Sequence, residues 1–333
     1  MKTWVLFITL LLVAASCTKN STEVNDRVAT LSINPTLSLE STKALLDDGS
    51  INAEHIGIQI ANSDGDALYD GQSENNNVDL SYSGTWNLSS AVYLSTSLAK
   101  IYAYSPFSSA EGDFTGVGAA SARLLNIPAS QTMANQVDYL WASQGKTVSA
   151  GSLDINSMNP AVQLKMNHAL AQISFVIYKS NYFGSGVLST IKIEDVSGSS
   201  KLKINKSSEN DLKIGLATGA ISGGENSTSL TVTDIGNTIS LTSDPGTIAS
   251  ELKSKVNAWA LVVPTTFASK SDVTFTFTID GKNYVVSLGT GELSWITSNQ
   301  YIYKVKLSGT TMTISSVTVA PWISSYGEEV VIQ

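Results

Sequence analysis

The sequence predicts an all-β protein made of two antiparallel β-sandwich domains. Apolar residues recur at every second position in short runs, such as 28–39, 171–179 and 272–279. The three-to-four-residue spacing of an amphipathic helix is scarce. Turn residues break the runs at intervals of about 8–12 residues, the rhythm of a sandwich. Alternation also argues for antiparallel sheets with one wet face, because parallel sheets read as continuous apolar runs with helices between them. The chain has 333 residues, of which 42% are hydrophobic and 14% charged, enough apolar material for a real core. At about 100–200 residues per domain, that length suits two domains.

The elements follow in order. Residues 1–16 read as a secretory signal: Lys2, an apolar stretch over 5–13, then Ala14, Ala15 and Ser16 as a small-residue cleavage zone. The stretch is shorter than the roughly 20 apolar residues of a membrane span. Cys17 follows at once and is the only cysteine. Its setting resembles a bacterial lipobox, with Ala14 where Leu is usual, so lipidation of Cys17 is expected. Acyl chains contribute about 0.8 kcal/mol per buried CH₂, which makes a doubly acylated cysteine a firm membrane anchor. Residues 17–27 are polar and form a tether. Residues 28–39 alternate as a strand but contain Pro35, which cannot donate to a ladder and so belongs at an edge or a bulge.

The first domain is expected over 28–159, with strands at 55–61, 79–83, 85–94, 100–104, 124–127 and 137–142. A polar segment, 143–160, precedes the second domain, 160–333. Its strands are expected at 161–167, 171–179, 187–196, 202–205, 212–216, 238–241, 257–263, 272–279, 283–288, 301–307 and 312–319, with a short extended tail at 328–333. Asp280-Gly281 between two alternating runs signals a tight hairpin, since both residues tolerate positive φ.

Composition excludes several functions. The net charge is −8 with no basic cluster, so nucleic acid is not an expected partner. One cysteine allows neither an internal disulfide nor a multi-cysteine metal site. His55 and His168, far apart, read as structural. Asn62, Asp64 and Asp66 have the spacing of a calcium loop, but Ser73 stands where the closing Glu belongs, and the segment reads as a turn. Gly184-Ser185-Gly186 is not a nucleophile elbow. No catalytic residue, cofactor site or metal site is expected. Trp86, Trp141, Trp259, Trp295 and Trp322 read mainly as core, with stacking on sugars as the rival use.

Several segments together resemble the fimbrillin family, the subunits of type V pili and related outer-membrane lipoproteins of anaerobic Gram-negative bacteria. The matching residues are Val137-Asp138-Tyr139-Leu140-Trp141-Ala142, the segment His168 to Phe175 (HALAQISF), Ala217 to Ile221 (ATGAI), the strand Tyr301 to Leu307 (YIYKVKL), and Val319-Ala320-Pro321-Trp322. The resemblance implies two tandem transthyretin-like β-sandwiches. It also implies export as a lipoprotein, proteolytic removal of the first strand after a basic residue, and filling of the vacated groove by a strand of another subunit. In this chain the basic residue is Lys43, followed by Ala44, where the family has Arg; cleavage after Arg27 would remove only the tether. Arg27 and Arg123 are the only arginines. Either a protease cuts at Lys43 and the protein polymerises, or the strand stays and the protein remains a lipid-held anchor or monomer. The hairpin of 301–307 and 312–319 reads as core, with a donor strand as its rival reading; 328–333 is the favoured donor. Expected partners are the outer membrane through Cys17, other fimbrillin-type subunits, and host or bacterial surface glycans or proteins. The rival reading is a non-polymerising glycan-binding surface lipoprotein.

Overall fold

A computed structural model describes residues 28–37, 50–145, 154–205, 210–322 and 330–332. Nearly all of the regular structure is strand; the α-helix Ala249–Lys253 is the single one among the described residues. Two large hydrophobic cores organise the chain.

The first core lies under a seven-stranded sheet. Its strand order is Ser32–Leu37, Ala161–His168, Leu140–Gly145, Ala99–Ser105, Ile56–Asn62, Val78–Tyr82 and Trp86–Leu88. Alternation decides which side chains enter this core. Ile56, Ile58 and Ile60 point in together with Ile101, Ala103, Leu140, Leu164 and Met166. A two-stranded ribbon, Ala29–Thr30 with Tyr93–Leu94, adds Leu94 to it.

The opposite face of the same sheet is covered too. Ala61, Tyr102 and Tyr104 belong to the second core, and Tyr104 stacks on Phe114 at 5.1 Å. Ala99–Ser105 is therefore almost wholly buried, unlike the one-wet-face strand that alternation suggests. Gly57 permits this packing. A Cβ there would lie 2.3 Å from the Tyr104 ring, so the aromatic side chain occupies the space a larger residue would need.

The second core fills the space between two further sheets. One runs Ser130–Thr132, Ser229–Thr233, Val187–Asp195, Val273–Ile279, Lys282–Ser287. The other runs Ala258–Val262, Ala171–Ser180, Asn299–Ser308, Thr311–Pro321, Val330–Ile332. Phe175 is the hub. It meets Phe275, Phe277 and Tyr303 at centroid distances of 5.0, 5.2 and 5.9 Å, the first two edge-to-face. The expected hairpin is present: Val273–Ile279 pairs with Lys282–Ser287, and Asp280 and Gly281 have φ of 48° and 75°.

Three features differ from the sequence expectation. Ala161–His168, assigned to the second half, is hydrogen-bonded into the first sheet between Ser32–Leu37 and Leu140–Gly145. Residues 85–94 form two short strands rather than one, Trp86–Leu88 and Tyr93–Leu94, which pair with different neighbours. Three pairings are parallel: Ser32–Leu37 with Ala161–His168, Ala171–Ser180 with Asn299–Ser308, and Ser130–Thr132 with Ser229–Thr233. Each joins segments far apart in sequence, where no hairpin turn imposes an antiparallel direction.

Candidate functional site: the leading strand and its slot

Residues Ala29–Leu37 enter the fold as a bridge. The first part pairs antiparallel with Tyr93–Leu94, and Leu31 N–H donates to Val92 O at 2.9 Å. The chain then turns its hydrogen bonding to the other side. Ser32 N–H donates to Pro160 O at 2.9 Å, and Ser32–Leu37 runs parallel to Ala161–His168 from Ala161↔Ser32 to Met166↔Leu37. Asn34 Nδ2 donates to Gln163 Oε1 at 2.8 Å and fixes the register.

The strand alternates strictly. Leu31, Ile33, Pro35 and Leu37 are buried, while Ser32 and Asn34 face solvent. Leu31, Ile33 and Leu37 belong to the same cluster as Ile56, Ile58 and Val162. Main-chain groups alternate as well. Since Ser32 points to Ala161–His168, Asn34 and Thr36 do too, and position 35 points away. Pro35 thus lacks a donor on the side where no ladder exists, which is why proline is tolerated there. Trp86–Leu88, the far edge of the same sheet, curls round to lie beside this open side. No ladder joins the two among the described residues. The leading segment therefore sits in a slot: Ala29–Thr30 is laddered on one flank, and Ser32–Leu37, among the described residues, on the other.

Six-residue pairing and three fully buried aliphatic side chains hold it. Burying each such side chain contributes about 1.5–3 kcal/mol, so Leu31, Ile33 and Leu37 together supply roughly 5–9 kcal/mol. That is comparable with the whole stability of an ordinary domain, about 5–15 kcal/mol.

A second feature lies where Ala161–His168 ends. His168 Nδ1 is 2.9 and 3.0 Å from the two carboxylate oxygens of Asp138, and both side chains are buried. A carboxylate only accepts, so Nδ1 carries the proton. The imidazole stacks on the Trp322 indole, centroid to centroid 4.4 Å, with planes 9° apart. Thr297 and Ser298 hydroxyls donate to His168 O, each at 2.9 Å, and Trp322 N–H donates to Ser298 O at 2.8 Å. Asp138, His168 and Trp322 come from three segments widely separated in sequence, and the fold brings them to one buried point. Sequence reasoning took His168 as structural but did not pair it; both partners lie inside the quoted motifs, which was the available signal. Beside this pair, burial and the Asp138 charge push the Glu54 carboxyl above its ordinary range.

The other candidates resolve as follows. Cys17, Arg27, Lys43 and Ala44 lie outside the described residues; Lys43 falls between Leu37 and Ser50, where the description stops and resumes. His55 Nδ1 approaches Asp79 at 2.9 Å on the surface. Asn62 Oδ1 accepts from Gly65 N–H at 2.8 Å and its Nδ2 donates to Asp66 at 2.7 Å, closing a hairpin turn. The Gly184-Ser185-Gly186 turn is braced by Asp280, whose Oδ2 accepts from Gly186 N–H at 2.8 Å. Trp295 and Trp322 are buried; Trp86, Trp141 and Trp259 are half-buried. The Asn299–Ser308 strand lies inside its sheet, between Ala171–Ser180 and Thr311–Pro321, as a core strand does; Val330–Ile332 lies at the sheet edge.

The geometry defines a class: an all-β sandwich protein whose first strand fills a slot in its own leading sheet. The chain belongs to the fimbrillin-like family, whose model matches residues 42–322. Its fold is shared with solved structures of low sequence identity. One is a Bacteroides uniformis protein assigned to cell adhesion (16% identity, TM-score 0.55, covering 89% of this chain and 100% of that one). Another, from Bacteroides ovatus, has the same assignment (14%, TM-score 0.56, 89% and 99%). A fimbrial protein from Bacteroides vulgatus gives 13%, TM-score 0.55, and 88% and 99%. No curated protein matches the chain in sequence.

Proposed function

We propose that this protein is a lipid-exported, cell-surface fimbrillin-type subunit or pilus-associated anchor, assembled by strand exchange at the slot of the leading strand. Cys17 carries the lipid, and the strand Ala29–Leu37 is the placeholder. The observation that carries this reading is the attachment of Ser32–Leu37: among the described residues its one ladder runs to Ala161–His168, and a row of alternate side chains fills a core. A second strand with the same alternation could take its place without rearranging the sheet. Cleavage after Lys43 would detach the placeholder, because the next described element begins at Ser50. An emptied slot exposes unpaired backbone and apolar side chains, so insertion of a neighbour's strand, with 328–333 as the donor, is strongly favoured.

Amino-terminal sequencing and mass spectrometry of the protein from the cell surface test this. A mature start at Ala44 in assembled fibres is expected for a polymerising subunit. An acylated Cys17 with the strand retained makes the protein an anchor or a monomer. A free thiol on Cys17 in the mature protein overturns the lipid assignment.

A further inference from the structure

A cavity of about 540 Å³ opens near the buried Asp138–His168 pair, on the side of Thr297. Three small pieces of structure wall it. The ribbon Leu202–Ile204 with Glu225–Ser227 supplies Lys203 opposite Asn226. The turn between Lys213–Gly215 and Ile221–Ser222 supplies Gly219 and Ala220, with Trp141 packed directly beneath Gly219. Thr265–Phe267 supplies Thr265 and Thr266, and Val263 and Pro264 add apolar surface.

The charge of this cavity opposes that of the protein. The chain carries −8, yet among the described residues the lining includes two lysines and no carboxylate. Lys201 Nζ donates to Thr266 O at 3.1 Å and lies over the Phe267 ring at 5.9 Å; Lys203 Nζ donates to Gly223 O at 3.1 Å. Each ammonium has three N–H groups, so each main-chain contact positions the charge while leaving donors for a ligand. Asp195 accepts from Ser197 N–H and Oγ and from Lys201 N–H, and, against the opposing effect of burial, these bonds together with the Lys201 charge hold its carboxyl below the ordinary range. The polar residues Ser199, Ser200, Thr265, Thr266 and Asn226 also line it; the Thr265 hydroxyl donates to Val263 O and that of Thr266 bonds Ser294 Oγ.

A ligand matching this lining is anionic, rich in hydroxyl groups, and apolar on one face. We propose that the cavity binds an acidic sugar residue, a uronic or sialic acid at the accessible end of a glycan, with its carboxylate between Lys201 and Lys203. The volume lies within the range of small-molecule sites, about 300–1,000 Å³. Electrostatic attraction at an open site is screened by salt, so the affinity falls as ionic strength rises. This site is separate from the slot of the leading strand and stands whether or not the protein polymerises.

Titration calorimetry on the full mature chain tests it, with digalacturonate, galactobiose and sodium sulfate as probes. Digalacturonate is expected to bind at least tenfold more tightly than galactobiose or sulfate, and to weaken with added salt. Lys201→Gln combined with Lys203→Gln is expected to weaken it at least tenfold, while Lys203→Arg retains binding. Thr265→Trp, which fills the cavity and leaves both lysines, is expected to abolish it. Equal affinity for galactobiose overturns the charge assignment, and equal affinity for sulfate overturns the sugar assignment. Undiminished binding by a double glutamine variant that melts like the parent overturns the site.

Discussion

Deleting the chain up to Lys43 takes Leu31, Ile33 and Leu37 out of the first core in one step. Their burial contributes roughly 5–9 kcal/mol as an upper figure, since the unfolded chain already hides part of that surface. The same region can be weakened by degrees. Ile33 is 2% exposed and stands opposite Val162 in the ladder. Ile33→Ala leaves the backbone pairing intact and opens a cavity, at a cost of about 2–4 kcal/mol. For a chain of this size that lowers the melting temperature by about 3–6 °C. Ser32→Ala, on the solvent face of the same strand, is expected to change it by less than about 2 °C. Thermal unfolding by circular dichroism reads all three proteins.

The decisive form of the experiment is rescue. The chain beginning at Ala44 should melt earlier than the full chain and should be restored by an added peptide of residues 28–39. The same peptide with Ile33→Asp should fail, because an unpaired carboxylate would enter an apolar cluster. If the shortened chain melts with the parent and ignores the peptide, the leading strand is an ornament of the fold. The exchange reading then has no energetic basis.

Three other perturbations probe the frame around the slot. Asp138→Ala leaves His168 Nδ1 buried without its acceptor and is expected to cost about 1–3 kcal/mol by denaturant unfolding, whereas Asp138→Leu with His168→Phe costs less. Gly57→Ala drives a methyl into the Tyr104 ring and disturbs its hydroxyl, which donates to Asn77 Oδ1 at 2.6 Å; the expected loss is about 1–3 kcal/mol, checked by melting. Glu54 has its carboxyl raised first by burial and then by Asp138, so the folded state favours the protonated form. Its contribution to stability is present below the ordinary carboxylate range and lost as pH rises through the raised value. Glu54→Gln is therefore expected to raise the melting temperature at pH 7 and leave it unchanged at pH 4; an equal shift at both pH values refutes this.

Alternation in the sequence exposed the face of each strand but not its partner. Residues 28–39 could be read as an edge strand because Pro35 lacks a donor, and Pro35 does lie on the unladdered side. Asp280-Gly281 could be read as a hairpin because its φ angles demand those residues. By contrast, nothing in Ala161–His168 says that it runs parallel to a strand at the other end of the domain. Nor does the alternation of Ala99–Ser105 reveal that both of its faces are covered: Ile101 and Ala103 enter one core, and Tyr102 and Tyr104 enter the other. Aromatic residues at the second set of positions were the only hint. The Asp138–His168–Trp322 meeting was invisible for the same reason, being made by strand placement rather than by spacing.

That meeting bears on how the two ends of the chain are held. Leu37 pairs with Met166, and His168 follows two residues later on the same strand. Trp322 stacks on His168 and is itself bonded through Ser298, shortly before the chain reaches the edge strand Val330–Ile332. One strand, Ala161–His168, thus carries the leading strand along its flank and the C-terminal indole at its end. Trp322 is held by burial and stacking, while Val330–Ile332, among the described residues, pairs with a single neighbour at a sheet edge. A free energy boundary follows from that contrast. Releasing the terminal strand costs three paired residues, whereas releasing anything upstream of Trp322 means dismantling a buried hydrogen-bonded pair and an aromatic stack. In the proposed exchange the strand traded at the C-terminus is Val330–Ile332, and the cores on either side of His168 stay joined while strands are traded.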